Sequence, residues 1–590
     1  MNNSDSRRAR IEKGSGSRPN WLAAVLWRNP RLLARLLQLW ACHRMAGRRI
    51  ARSLSGAALL IALGVAPARA GAITVVDGEV AISQNGLCSL IEAIHNANDT
   101  TDGAPHADCA PGDPAADGMD YITLPPSGDF VLAAIDNTAY GASGLPVITS
   151  PVSITAYGAT IRRDEAAEPF RVLAVGREGD LSINGGTISG GHVAAGSSRA
   201  AGVTYAGSGG GILNMGVLDL RETTLSGNTA AVGGGLYNAG RLTGQAHFID
   251  NSAAYGGDAL LSFGAARLDD IDVRHNGGQP FSGAIENEGT MEILGGYIRD
   301  NESPTSLINR GDLTIYYVTI ENGGAGISNS GAATVQQTTI TGHRTGISNG
   351  ATAFVNQSTL TGNGRGILNS GGLLTLVNST ISGNHNPGDG GGILVTGGGI
   401  EGAFNTITDN SADRGGGAFV VGSYDYFYNC SAGSLTLENS ILSGNRAVNG
   451  PEGYVEQDSF RCLGWLGLHG SLAGHDGDAG LVNAFLNETL IPDEPMAAIL
   501  HPTLEYNGWP AVKTHALPWG SPAVDALANE VCVAPPVDGV DQRQMERNQD
   551  GDFRPSDREC DIGAFERQLP AYRTFAPLVG GAVPGGGDDE

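Results

Sequence analysis

Between about residues 209 and 446 the chain alternates apolar and polar side chains in short runs, each closed by glycine or asparagine. One set of runs ends in Asn: Gly-Gly-Gly-Ile-Leu-Asn at 209–214, Gly-Gly-Gly-Leu-Tyr-Asn at 233–238, Gly-Ile-Ser-Asn at 326–329 and 346–349, and Gly-Ile-Leu-Asn at 366–369. The closing residues are Asn214, Asn238, Ser262, Asn287, Asn309, Asn329, Asn349 and Asn369, with steps of 24, 24, 25, 22, 20, 20 and 20. A second series follows in each unit: Asn228, Asn251, Asn276, Asn301, Asn322, His343, Asn363, Asn384, Asn410 and, after an insertion, Asn445. Stretches such as Leu373-Leu374-Thr375-Leu376-Val377 and Thr380-Ile381-Ser382 precede its members. Period-two alternation over three to five residues predicts half-buried strands.

A unit this short, with two or three strands and no helix, cannot bury its own apolar face. Stacking successive units in parallel solves the problem, each coil adding about 4.8 Å. The expected fold is therefore all-β, a parallel β-helix. Asn recurring at one corner should form a ladder of stacked amides, which satisfies turn backbone and tolerates left-handed dihedrals. The Asn residues read as structural. Leucine-rich and nonapeptide calcium repeats fail on pattern or period. Less regular strand signals at 122–124, 147–149, 152–155 and 181–183 extend the coils towards the N-terminus. A solenoid must also cap its open ends. Ser89 with Glu92 forms a capping box, and Leu90, Ala93, Ile94 and Ala97 follow at helical spacing, which predicts a short capping helix.

Charge divides the chain sharply. Residues 1–70 hold 13 of the 36 Lys+Arg and two of the 61 acids, leaving 23 basic against 59 acidic residues, net −36, beyond residue 70. Such acidity argues against nucleic acid as a partner. Within the basic segment, Arg48, Arg49 and Arg52 precede an apolar run at 54–66, and Ala68-Arg69-Ala70 follows. That order is expected of a secretory signal, with Met45 an alternative start to Met1. No later stretch is long and apolar enough for a transmembrane helix, so an exported chain at the cell surface, outside the cell or in the periplasm is expected. Six cysteines remain in close pairs, Cys88/Cys109, Cys430/Cys462 and Cys532/Cys560. An oxidising compartment makes disulfides reasonable, and short loop closure favours this sequential pairing among the many possible ones. The resulting plan is a leader at 1–70, an N-terminal cap at 71–120, coils at 121–446, a C-terminal cap at 447–570 and a flexible acidic tail at 571–590.

The segment Cys88-Ser-Leu-Ile-Glu-Ala-Ile resembles the CSLREA-type N-terminal motif of exported bacterial proteins. The Gly-Gly-Gly-Ile-Leu-Asn…Leu-Ser-Gly-Asn units look like polymorphic outer-membrane-protein repeats. Ser521-Pro-Ala-Val-Asp525 and Asp541-Gln-Arg543…Cys560-Asp-Ile-Gly-Ala-Phe-Glu566 resemble a choice-of-anchor Q domain. Together they imply a secreted, right-handed parallel β-helix of the pectin-lyase-like type, and they imply no defined activity.

Four sets of residues carry candidate chemistry. Asp389 and Arg414 precede Gly triplets one coil apart, with Asp409 and Asp413 near by. Clustered acids beside a base could cleave polysaccharide, whereas a surface salt bridge is the plainer reading. Tyr424, Tyr426, Phe427 and Tyr428 crowd an insertion that could stack on sugar rings or fold back over the coil. Asn548, Asp550, Asp552, Ser556 and Glu559 stand near EF-hand ligand positions, though Phe553 replaces the usual Gly, so calcium is a candidate cofactor and an Asp/Gly turn the alternative. Gly346-Ile-Ser-Asn-Gly350 matches a nucleophile elbow but lies inside the repeat, out of that motif's context. The leading expectation is a non-catalytic scaffold or adhesin-like protein for extracellular polysaccharide or a host or cell-surface protein. The alternative is a polysaccharide lyase or glycoside hydrolase on the same fold.

Overall fold

The computed structural model describes residues 71–98, 105–113, 118–193, 205–280, 282–424, 430–457, 462–508, 512–547 and 559–568. Each coil contributes one strand to each of three faces. In one turn, Leu373–Val377 lies on the second face, Thr380–Ser382 on the third, and Ile393–Val395 begins the next turn on the first. Every one of these pairs in parallel with its equivalent one coil away. On the second face the pairing starts with Ala72–Thr74 against Asp120–Thr123 and ends with Trp465–His469 against Phe485–Asn487. Coiling thus extends past the expected 121–446 span at both ends. The protein is a parallel β-helix.

Alternation dictates what lies inside. Leu313, Ala333, Ala353, Leu374, Ile400, Leu435 and Leu466 stack in register down the second face, all buried. Ile327, Ile347, Ile367 and Ile393 do the same on the first face. The strands are short because corners interrupt them, often with a non-glycine residue at positive φ. Between the second and third faces these are Gln337, Gln357, Asn378 and Phe404, with φ of 50°, 51°, 46° and 55°. The left-handed conformation costs an L-residue roughly 1–2 kcal/mol, and stacked hydrogen bonds offset it. Some corners are gentle enough that strands merge, as in the single run Asp312–Asn329.

Two amide ladders line the interior corners. Asn287, Asn309, Asn329 and Asn349 each donate to the next side chain at 2.8 Å, the last to Asn369. The second ladder has two sections, 228–251–276–301 and 363–384–410–445. Asn445 ends it by donating to the buried carboxylate of Glu452 at 2.6 Å. Asn322 does not belong to this ladder, contrary to the sequence pattern. It takes the positive-φ position one residue earlier (φ 56°), is exposed, and donates to Asp300. Gly323 pairs with His343 and holds the ladder position instead. The motif's spacing slips there by one residue.

Helix α1 (Leu90–Asn98) is the N-terminal cap. Its box closes as expected: the Glu92 N–H donates to Ser89 Oγ at 3.3 Å and the Ser89 N–H to Glu92 Oε2 at 3.0 Å. Leu90, Ala93, Ile94 and Ala97 are buried in the main core, and the Cys88–Cys109 disulfide ties down the following loop.

At the other end, α2 (Met496–Ile499) and α3 (Asn529–Val533) belong to a segment that folds back along the corner of coils 357–406. Gln542 bonds Ser358, Thr359 and Thr380. Arg547 donates to Asn378 at 2.8 Å and to the Gly563 carbonyl at 2.7 Å, and its guanidinium lies 4.4 Å from the Phe404 ring centroid. Arg543 is doubly bonded to Asp541, at 2.8 and 2.6 Å. These residues, with Asp561 and Glu566, are buried. The residues of the anchor-like motif therefore form a latch, with ion pairs inside the C-terminal segment and hydrogen bonds across to the coils. Cys532–Cys560 is formed beneath it.

Candidate functional site

The first face has an outer surface as well as a core. Its outward row reads Ala174, Leu213, Tyr237 and Leu261 in register. Alternation places Tyr237 there, because its neighbours Leu236 and Asn238 both point inward. Tyr140, Tyr205, Tyr237 and Phe263 touch in sequence, with ring centroids 6.4, 6.4 and 5.7 Å apart. Tyr237 is buried between its neighbours, and burial pushes its hydroxyl pKa up to about 12. Tyr205 and Phe263 stay 38% and 51% exposed. Next in the row is Glu286, buried and paired with Arg310 at 2.8 Å. This aromatic row is faint in the sequence. Its usable signal was the alternation at 236–238; Tyr140 and Tyr205 come from irregular segments.

The predicted acid cluster lies on the same face near its C-terminal end. Asp389 and Arg414 stack one coil apart, as the spacing predicts. Arg414 donates to both oxygens of Asp389, at 2.8 and 2.6 Å, and to Glu456 at 3.0 Å. Its hydrogen bonds to Asp389 raise its pKa further above the usual arginine value, so the guanidinium stays charged. The guanidinium also faces Phe419 and Tyr454, at 4.8 and 5.6 Å, whose rings are parallel to within 3°. Asp409 sits at a corner with φ 54° and accepts a bond from Arg446 at 2.8 Å. Asp413 is exposed and lines a shallow hollow of about 300 Å³ with His385, Asn386 and Arg446. Thus two of the three acids are engaged by arginines.

Tyr424 ends the strand Ala418–Tyr424, which turns back antiparallel onto Cys430–Ala432. The Tyr424 side chain and all of Tyr426, Phe427 and Tyr428 lie outside the described residues. So do Asn548, Asp550, Asp552 and Ser556 of the calcium candidate; Glu559 is half-buried in a two-residue strand beside Leu527–Ala528. Among the described residues no group of three His, Cys, Asp or Glu could hold a metal. Cys88–Cys109 and Cys532–Cys560 are bonded as expected, and Cys462 is disulfide-bonded, whereas the Cys430 side chain is outside the described set. Among the described residues no helix is long and apolar enough to cross a membrane. Comparison of the chain with known protein families, curated proteins and solved structures finds no match.

Proposed function

We propose that the protein is an exported, non-catalytic scaffold whose first face binds extracellular polysaccharide. The aromatic row from Tyr140 to Phe263 carries this reading: four rings from separate segments meet on an outer sheet surface, with two half-open to solvent. Aromatic faces receive the apolar faces of sugar rings at low conformational cost, and a rigid solenoid holds them in fixed spacing. The basic–apolar–small segment at 48–70 and the formed disulfides support export. The resemblance to CSLREA-type, outer-membrane-repeat and choice-of-anchor proteins points the same way.

The alternative, a lyase or hydrolase using Asp389, Asp409, Asp413 and Arg414, would need carboxylates free to move a proton, and Asp413 alone of the three acids stands outside an arginine pair. The bidentate Asp389–Arg414 pair and the Asp409–Arg446 bond favour the binding reading. The test is a panel of neutral and acidic polysaccharides, with and without calcium, scored for both retention and chain cleavage. Retention without cleavage is expected, and Tyr205→Ala with Phe263→Ala should weaken it at least tenfold. Cleavage that disappears in an Asp389→Asn/Asp413→Asn double variant would replace the scaffold by an enzyme.

A further inference from the structure

The second face carries a different surface near its C-terminal end. Two outward rows run along the axis there. One is Thr375, Glu401, Thr436, Gly467, Phe485; the other is Val377, Ala403, Glu438, His469, Asn487. Between the second face and Pro536 of the C-terminal segment lies an open cleft of about 230 Å³, lined by Thr375, Glu401, Thr436 and Glu438 among others. Glu401 and Glu438 lie one strand apart and two residues along, so their backbones are roughly 8 Å apart by sheet geometry. Both are exposed, and among the described residues neither carboxylate has a hydrogen-bonded or ionic partner. That distinguishes them from Asp389 and Asp409.

The row continues from Thr436 onto an aromatic platform. Gly467 has no side chain, and the Trp465 indole occupies the vacant outward place: its Nε1 comes within 2.8 Å of where a Cβ on Gly467 would stand. His469 Nε2 approaches the same point at 3.4 Å. Trp465 stacks on Phe485 with centroids 5.2 Å apart, and the two are 45% and 48% exposed. An apolar platform and a carboxylate-lined cleft thus adjoin on one line, one coil apart.

We infer that this cleft binds an oligosaccharide free of acidic groups, one sugar against Trp465 and the next between Glu401 and Glu438. Sugar hydroxyls donate to the free carboxylates and exchange bonds with the Thr375 and Thr436 hydroxyls. Uronate or sulfate groups would meet two unneutralised carboxylates on a chain already at net −36 beyond residue 70, a repulsion that discriminates against them. The inference deepens the proposed polysaccharide binding and rests on it, but uses a separate face.

The test measures the full mature chain, by titration calorimetry, against cello-, xylo- and chito-oligosaccharides and against oligogalacturonate. Binding of at least one non-acidic series is expected, with oligogalacturonate at least tenfold weaker. Trp465→Ala should cost tenfold or more, and the conservative pair Glu401→Gln/Glu438→Gln should weaken the non-acidic ligand while narrowing discrimination against oligogalacturonate. Preference for the acidic chain overturns the inference. So does non-acidic binding that survives both cleft variants; if Tyr205→Ala/Phe263→Ala then abolishes it, the broader scaffold reading stands alone. No binding of any sugar, oligomer or polymer, removes both.

Discussion

The coils and the C-terminal latch both bury many polar groups, yet they satisfy them in opposite ways. The coils use neutral amides. Asn276 donates to Asn301, to the Phe248 carbonyl and to the Arg274 carbonyl at 2.8–3.0 Å, and its oxygen accepts from Asn251. Most rungs repeat the one before, so one uncharged solution serves nearly every turn. The latch occurs once. It confines Asp541, Asp561 and Glu566 with Arg543 and Arg547, all buried, and each finds partners unlike any other's. Repetition makes neutral amides sufficient. A unique junction gains specificity from charge, at the cost of depending on every partner.

Breaking the latch should therefore give the larger effect. Arg547→Met keeps the length of the side chain but leaves Asp561 and Glu566 without the guanidinium between them. The buried Asn378 amide oxygen and Gly563 carbonyl also lose their donor, and each buried acceptor left unsatisfied costs about 1–3 kcal/mol. The expected outcome is an early urea transition confined to the C-terminal segment, seen as protease cuts within 490–568 while the coils resist. Simultaneous loss of coils and cap would show that the latch is part of a single cooperative unit instead.

Acidity offers a second way to test the latch. Burial raises the Asp561 pKa from 3.8 to about 7, against the pull of its backbone hydrogen bonds from Arg567 and Asp525. Burial, then repulsion from Asp561, also holds Glu566 well above the usual carboxylate range. A carboxyl whose folded pKa is raised binds its proton more tightly when folded. Its stabilisation is complete below about pH 4 and is lost as pH rises through 7. For Asp561 the swing is at most about 4 kcal/mol. The cap transition should weaken from pH 4 to 8; burial likewise raises the Glu452 carboxyl, which ends the second ladder, to about 8, so the Asp561 share is isolated by substitution. In Asp561→Asn the slope should flatten, whatever the absolute stability; an unchanged slope would remove Asp561 as its source.

These contrasts also explain what could be read in advance. Alternation and the Asn steps specified the β-helix and its first ladder, because every coil repeats the same physical demand. The helix α1 box at Ser89 and Glu92 was local and hence visible. Asn322 was misplaced because the pattern records residue type and not which of two adjacent corner positions is left-handed. The latch residues stood out in the sequence only by resemblance, since their partners Ser358, Asn378 and Phe404 lie more than a hundred residues away. The stacking of Asp389 on Arg414 followed from the coil length, but the second carboxylate, Glu456, came from another turn. The cleft at Glu401 and Glu438 escaped notice because two exposed acids among alternating residues look like ordinary solvated surface.

The smallest expected effect lies at the break in the second ladder. Gly323 offers no amide to Asn301, and the buried His343 ring leans into the gap, with Nδ1 3.2 Å from where a Cβ on Gly323 would be. Neither His343 nitrogen makes a hydrogen bond of good geometry, nor does the buried Ser306 hydroxyl beside it. Burial lowers the His343 pKa, against the pull of the Ile320 and Gly323 backbone. A depressed histidine pKa favours the folded state above about pH 6.5 and loses that advantage as pH falls. Gly323→Asn alone would collide with the ring. Combined with His343→Asn, it supplies both missing rungs and should stabilise the coils by about 1–2 kcal/mol, with less loss below pH 6.5. The check is the urea midpoint of the coil transition at pH 5 and 7 for the double variant against the parent. Stabilisation at both, larger at pH 5, would show that the coils draw their stability from an unbroken neutral ladder. A fall at both would mean that the gap is shaped for the ring it holds, and that even the repeating region contains one junction as particular as the latch.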